Sequence, residues 1–236
     1  MDEQGSETGA ASGGVKTLLR LEGLTLFGGQ GLLYRVWGGS WIVFGLLFLA
    51  SAYGEEEDGE RRRKMEDILT RAVQFSGKAQ TNRGGWGYVS AADGNNFDEG
   101  SVTITQVQAL RAARNAGIIV PKAIIDRAQK YLQDCTTDRG GIIYSLAHGA
   151  AFNGAERPPL TAAAIACSFS GGEYASENAK KWIKYCQTAI PIDKSGRDSF
   201  GHWEYTHYYY AQCIYMLGDT GYAKLFPDSR ETDRLT

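Results

Sequence analysis

The sequence predicts an all-α fold built from repeated pairs of helices. The segment at 81–88 (TNRGGWGY) recurs at 137–144 as TDRGGIIY, and each residue of the second copy follows its counterpart by 56 positions (137 minus 81). Apolar residues recur at helical spacing before and after both copies. Self-similarity over tens of residues is typical of repeat architectures, in which each unit packs mainly on its neighbours.

Two kinds of helix alternate along the chain. The helices before the Gly-Gly pairs carry a charged face beside an apolar stripe, as in Met65, Leu69 and Ala72 beside Glu66 and Asp67. The helices after the pairs are almost entirely apolar, which is typical of burial on most sides. An outer layer that faces water and an inner layer behind it would give this alternation. The predicted apolar helices cover 41–53, 101–116, 159–170 and 208–217.

Local signals set the predicted helix ends. Ser101 is a good N-cap residue for the inner helix of the first repeat, and Gly117 is a good stop. Pro121 suits the first turn of the next outer helix, because its missing N–H is not needed there. Gly54 and Gly218 are predicted to end the first and last apolar helices.

Composition sets the predicted domain boundaries. Residues 1–14 contain glycine, serine, alanine and acids and are predicted to be disordered. The repeat domain is predicted over 15–218, with a candidate helix at 15–27, and residues 219–236 form a C-terminal tail. At 236 residues the chain can bury a large core in one domain.

Charge and targeting signals bear on partners and location. A formal net charge of −2 argues against nucleic acid as a partner. The acidic N-terminus lacks the apolar core of a signal peptide, which favours a cytoplasmic location. Residues 41–53 are the candidate membrane anchor, but they fall short of the ~20 residues that span a bilayer. A core helix is therefore preferred, with a membrane-anchored helical protein as an alternative.

The four cysteines are scattered along the chain, at 135, 167, 186 and 213. They form neither a Cys-x-x-Cys pair nor a cluster with histidine, so no metal site and no cofactor are predicted. Lone cysteines on helices usually act as small buried hydrophobes. A redox or disulfide role is the alternative.

Residues around the first Gly-Gly pair resemble a known superfamily. The segment 80–86 (QTNRGGW) fits the Gln-x-x-x-Gly-x-Trp repeat of squalene and oxidosqualene cyclases, and 98–117 and 201–210 look like bacterial prenyltransferase and squalene-oxidase repeat proteins. The resemblance covers about 40–218. It implies an α/α toroid, a double ring of helix hairpins in which the repeat ties an outer helix to its neighbour. The chain has too few helix pairs to close such a ring, so we expect a partial ring, an open arc or self-association that completes one.

The two copies of the repeated segment indicate a scaffold role for it. Trp86 becomes Ile142 in the second copy while the surrounding frame persists. The position therefore requires an apolar side chain rather than an indole ring. The predicted structural residues are Gln80, Gly84, Gly85, Trp86, Tyr88, Gly140, Gly141 and Tyr144.

The adjacent acids Asp98 and Glu99 are the first candidates for chemistry. They resemble part of the Asp-x-Asp-Asp motif with which terpene cyclases of this fold protonate an alkene. Neighbours on a helix diverge by ~100°, so the two carboxyl groups would not share a proton, and an acidic loop before the next helix is the plainer interpretation. His207 resembles the histidine that binds zinc in the prenyltransferases of this fold, but Gly100 stands where their zinc-binding cysteine is expected.

The second candidate cluster is the segment 202–210 (HWEYTHYYY), which holds two of the three histidines of the chain. Helical spacing puts Trp203 and His207 on one face, and likewise Glu204 and Tyr208. The cluster could line a pocket for an apolar or cationic group, or it could serve packing between helices, which is preferred. The candidate catalytic residues are Asp98, Glu99, His202 and His207; the candidate ligand-binding residues are Trp203, Glu204, Tyr205, Tyr208 and Tyr209.

The missing paired aspartates and zinc cysteine favour a binding module over an enzyme. We expect the concave inner face to bind an apolar small molecule, a peptide or a partner protein. The alternative is an isoprenoid-processing enzyme, either a squalene-type cyclase or a prenyltransferase. The repeat does not discriminate between them, because the fold hosts both kinds of protein.

Overall fold

A computed structural model describes residues 32–170, 175–191 and 201–225, with side chains at 43–169, 175–191 and 201–224. These residues form seven α-helices and a short 3₁₀ turn, without a β-strand, so the all-α prediction is confirmed. The helices are α1 (Leu32–Glu55), α2 (Gly59–Ala79), α3 (Gly100–Asn115), α4 (Lys122–Asp134), α5 (Pro158–Ser170), α6 (Glu177–Ala189) and α7 (Trp203–Leu225).

The helices are arranged in two layers. Helices α1, α3, α5 and α7 pack side by side in chain order, and α2, α4 and α6 lie against them. Residues 159–169 of α5 are all buried, because α3 and α7 flank this helix and α6 covers it. The nearly apolar helices therefore form the inner layer, and the helices with a charged face form the outer layer. Among the described helices, no extensive contact joins α7 back to α1.

Several helix ends differ from the sequence-based bounds. Helix α1 begins at Leu32 and continues past Gly54, which keeps the helical conformation. The N-cap of α3 is Glu99 and not Ser101, because the Glu99 carboxylate accepts from the free backbone N–H of Val102 in the first turn of the helix. At Gly218 the backbone leaves the helical region (φ 65°, ψ −177°), and a helix then resumes as far as Leu225.

Of the remaining predicted helix ends, the stop after α3 is confirmed. Gly117 adopts a left-handed conformation (φ 92°) directly after α3, as expected of a helix stop. The predictions for 1–14, 15–27 and 226–236 lie outside the described residues. Within the described ranges, no helix is both long enough and apolar enough to cross a membrane.

All four cysteines are buried and unpaired with one another, which confirms their prediction as small core residues. Burial raises the pKa of the Cys135 thiol to about 12, and likewise that of Cys213. These side chains therefore stay in the thiol form, which is the unreactive one.

The first repeat segment, residues 80–88, is a joint between outer helices. We call it the first joint and its counterpart at 136–144 the second joint. The Gln80 side-chain amide donates to the carbonyl of Gly84 (2.8 Å) and to that of Ile124 in α4 (3.0 Å). The Trp86 ring is buried, and its indole N–H donates to the carbonyl of Ser76 in α2 (2.8 Å). The first joint therefore ties the end of α2 to the start of α4.

The second joint reproduces the backbone pattern of the first. Thr81 N–H donates to the carbonyl of Gly85 (2.9 Å), and Thr137 N–H donates to that of Gly141 (2.9 Å). The glycine that precedes each of these acceptors has a left-handed φ, of 96° in the first joint and 90° in the second. The geometry is thus shared, although the buried apolar residue changes from Trp86 to Ile142.

Each joint is also fastened to the inner helix that follows it. The backbone N–H of Trp86 donates to the Thr103 hydroxyl of α3 (2.9 Å), and the N–H of Ile142 donates to the Thr161 hydroxyl of α5 (2.9 Å). The Thr103 hydroxyl in turn donates a hydrogen bond to the carbonyl of Glu99 (2.8 Å). One buried hydroxyl per repeat therefore satisfies a backbone donor that would otherwise lack a partner.

Thr103→Val is expected to lower the free energy of unfolding by about 1–3 kcal/mol, because the Trp86 N–H stays buried without an acceptor. Thr105→Val is the matched control, since that half-buried hydroxyl bonds only to carbonyls of its own helix. Urea denaturation of the two variants measures the difference. Equal losses would show that the contact with the joint does not contribute to stability.

Candidate functional site

A cavity of about 1110 Å³ opens at the N-terminal ends of α3, α5 and α7. Four tyrosines from different parts of the chain contribute to its wall, together with two acids, an arginine and a histidine. The wall residues include Tyr88, Glu99, Ser101, Tyr144, Glu156, Arg157, Tyr185, His202 and Tyr205.

The two repeats supply equivalent positions to this cavity. Tyr88 and Tyr144 end the first and second joints. Glu99 N–H donates to the carbonyl of Trp86 (2.9 Å), and Arg157 N–H donates in the same way to that of Ile142 (2.8 Å). The same backbone frame therefore presents a carboxylate at the start of α3 and a guanidinium group at the start of α5.

Asp98 lies just before α3, contacts the first joint through Arg83 and does not line the cavity. Its side chain is fully buried, and Oδ1 accepts from the Tyr131 hydroxyl (2.8 Å), the Ser145 hydroxyl (3.0 Å) and the backbone N–H of Leu146 (2.8 Å). Oδ2 accepts from Arg83 (3.2 Å). Burial, together with neighbouring groups that include the Asp98 carboxylate, raises the pKa of Tyr131 well above its usual value, which keeps that hydroxyl a donor. Asp98 thus holds α4, and the segment directly after the second joint, to the start of α3.

Glu99 faces the cavity, although its side chain is only 1% exposed. Its carboxylate accepts from the backbone N–H of Val102 (2.9 Å) and from the Ser101 hydroxyl (2.6 Å). No lysine or arginine in the described parts of the chain forms an ion pair with it. Burial and then the Glu99 carboxylate raise the pKa of the Tyr144 hydroxyl, so that ring lies close to the acid.

Glu156 contributes a second carboxylate to the wall, next to the second joint. It accepts from the Thr137 hydroxyl (3.0 Å) and from the backbone N–H of Gly154 (2.7 Å), and Arg139 lies 3.9 Å away. Burial acts to raise its pKa, but these hydrogen bonds and Arg139 outweigh burial and leave the pKa below its usual value. Glu156 is therefore ionised at neutral pH. Burial and this charge raise the pKa of Tyr185 to about 12.

The segment 202–210 divides between the cavity and contacts within the protein. His202 and Tyr205 line the cavity. His202 has a φ of 64° and is the one non-glycine residue with a positive φ among those described, a strained conformation that is common at binding sites. Trp203 stacks on His207 at 3.9 Å between ring centroids, and His207 also approaches the Pro191 carbonyl (3.2 Å).

The other candidates of that segment lie outside the cavity. Tyr209 is buried and packs edge-on against Tyr205 (4.7 Å between centroids) and Tyr208 (5.1 Å). Tyr208 is 66% exposed, and Glu204 is exposed as well. The structure therefore brings Glu99, His202 and Tyr205 together. It places the remaining candidates elsewhere: Asp98, Trp203, Glu204, His207, Tyr208 and Tyr209.

Sequence reasoning missed three wall residues, Glu156, Arg157 and Tyr185. A signal for two of them exists, because Arg157 follows Glu99 by 58 positions (157 minus 99) rather than by the 56 of the repeated segment. Two additional residues between Tyr144 and α5 therefore hide the correspondence. Tyr88 and Tyr144 were predicted as structural, and they also contribute their rings to the cavity.

The fold and the site define an all-α repeat protein with a tyrosine-lined cavity at the ends of its inner helices. Within the part of the chain that the structure describes, no three His, Cys, Asp or Glu side chains are grouped to hold a metal ion. No protein-family model matches the sequence, and no curated protein matches it at a significant level.

Proposed function

We propose that the protein is a non-catalytic binding module of the α/α-toroid type, an open arc that takes up a ligand in the tyrosine-lined cavity. The observation that carries this proposal is the cavity itself, about 1110 Å³, with walls from the starts of three successive inner helices. Ligand sites are typically concave, with aromatic walls and a few oriented polar groups. A small molecule or the end of a peptide with an apolar part suits such walls.

The residues give less support to isoprenoid chemistry. A cyclase requires a carboxylic acid that is protonated and directed at the substrate. Asp98 accepts four hydrogen bonds from the protein and lies outside the cavity, and Glu99 accepts from a backbone N–H as a helix cap. Gly100 has no side chain to supply a thiolate nucleophile or ligand. A binding function therefore fits these residues better than either enzyme does.

Ala189→Trp is expected to abolish ligand binding, because Ala189 lines the cavity and an indole there would fill part of it. Ala92→Trp is the matched control, since Ala92 is exposed in the 3₁₀ turn and lies outside this cavity. Saturation-transfer NMR with a library of small aromatic, aliphatic and ammonium fragments would be recorded on both variants, after circular dichroism has verified their helix content. Fragments that bind both variants equally, with none lost in Ala189→Trp, would contradict a ligand site in the cavity.

A further inference from the structure

We infer that the cavity recognises a quaternary ammonium group, held against the rings of Tyr88, Tyr144 and Tyr205 with Glu99 as its counter-charge. This inference rests on the proposed function and specifies the ligand of the same site. It follows from the lack of a cationic side chain paired with Glu99, from the aromatic rings near that carboxylate and from the presence of Arg157 in the wall of the same cavity.

The first observation is that Glu99 differs from the two other buried acids next to the joints. Asp98 has Arg83 at 3.2 Å, and Glu156 has Arg139 at 3.9 Å. Glu99 is as buried as Asp98, yet no cationic side chain within the described ranges pairs with it. The Glu99 charge is offset by the Val102 N–H, the Ser101 hydroxyl and the N-terminus of α3 but by no cationic side chain, so a bound cation would lower the cost of burying it.

The second observation is that aromatic rings surround this carboxylate. Tyr144 and Tyr205 both lie near enough to Glu99 for its charge to raise their pKa, in addition to the larger effect of burial. Tyr88 is 46% exposed and Tyr144 40% exposed, so parts of both rings are open to a ligand. The faces of such rings attract cations.

The third observation selects a quaternary ammonium over a primary amine. A primary ammonium group needs three hydrogen-bond acceptors, whereas Glu99 already accepts from Val102 and Ser101 and has about two of its four acceptor sites left. A quaternary ammonium donates no hydrogen bonds and is held by ring faces and by charge alone. Arg157 on the wall would repel the same cation, so the ammonium group is directed toward Glu99.

The test compares choline with 3,3-dimethylbutan-1-ol, an uncharged molecule of nearly the same shape, by isothermal titration calorimetry and chemical-shift titration. We expect saturable choline binding, with the alcohol at least about tenfold weaker, because only the cation gains from the ring faces and the carboxylate. Glu99→Gln is expected to remove most of this preference, while its side-chain oxygen can still accept from the N–H of Val102. Glu60→Gln, an exposed acid paired with Lys64 on α2, should bind choline as the unmodified protein does.

A second pair of variants distinguishes the contribution of the Tyr144 ring to choline affinity from that of the Tyr144 hydroxyl group. Tyr144→Phe should keep choline affinity within about threefold, because the ring face remains, whereas Tyr144→Leu should weaken it by about tenfold. Two results would overturn the ammonium inference and leave the proposed function standing. One is equal binding of choline and the alcohol. The other is no binding of choline while other fragments bind to the unmodified protein and are lost in Ala189→Trp. If no ligand of any kind is lost in Ala189→Trp, both fail.

Discussion

Asp98→Ala is expected to lower the free energy of unfolding by about 3–5 kcal/mol, as when one partner of a buried charged pair is removed. The carboxylate joins four donors from three parts of the chain: Tyr131 in α4, Ser145 and Leu146 after the second joint, and Arg83 in the first joint. Without it, the Tyr131 hydroxyl and the Leu146 N–H lose their acceptor in the interior.

Urea denaturation followed by circular dichroism measures this effect. Asp93→Ala is the control, because Asp93 is an exposed acid in the 3₁₀ turn and its removal should change stability by less than about 0.5 kcal/mol. Asp98→Asn should lie between the two, since an amide oxygen can still accept from Tyr131 and Leu146. A loss below about 1 kcal/mol for Asp98→Ala would mean that these contacts do not hold the helices together.

Gly84→Ala is expected to lower the free energy of unfolding by about 2–5 kcal/mol, from left-handed strain and overpacking combined. The residue has a φ of 96°, and an added Cβ would lie 2.4 Å from the backbone carbonyl oxygen of Arg127 in α4. A backbone atom in the middle of a helix cannot move aside as a flexible side chain can. The outer helix would have to separate from the joint.

Gly94→Ala separates the two causes of that loss. Its φ of 86° is similar, but nothing lies within 4 Å of an added Cβ, so only the conformational cost of about 1–2 kcal/mol applies. Gly140→Ala should behave like Gly84→Ala, because its Cβ would lie 2.7 Å from the carbonyl oxygen of Lys181 in α6. Thermal or urea unfolding of the three variants gives the comparison. Equal losses at Gly84 and Gly94 would show that the close approach does not matter.

The scaffold was predictable because its determinants are local. The repeat at 81–88 and 137–144 identifies both joints, and the alternation of charged and apolar helices corresponds to the two layers. The N-cap of α3 was misassigned because Ser101 fits the usual preference, whereas the helix begins earlier and the Glu99 side chain accepts from the N–H of Val102. The α/α-toroid arrangement that the resemblance implies, expected as a partial ring or open arc, remains a prediction.

The cavity was less predictable because it depends on tertiary structure. Asp98 and Glu99 are adjacent in sequence, and only the packing of α4 shows that the first has its donors inside the protein. Glu156 and Arg157 were missed because the loop before α5 is longer than its counterpart. His202 and Tyr205 were chosen for the composition of their segment, but that criterion also included Trp203 and His207, which contact each other instead.

The adjacent acids therefore have different expected roles, Asp98 in stability and Glu99 in binding. Urea unfolding with and without choline, at constant ionic strength, measures both roles. A ligand at ten times its Kd stabilises the native state by about 1.4 kcal/mol, so binding appears as an increase in the free energy of unfolding. Asp98→Asn should lose stability and keep the choline-induced increase. Glu99→Gln should keep its stability to within about 1 kcal/mol and lose that increase. The reverse pattern, or a choline-induced increase of the same size in Glu99→Gln as in the unmodified protein, would contradict the assignment of structure to the joint and binding to the cavity.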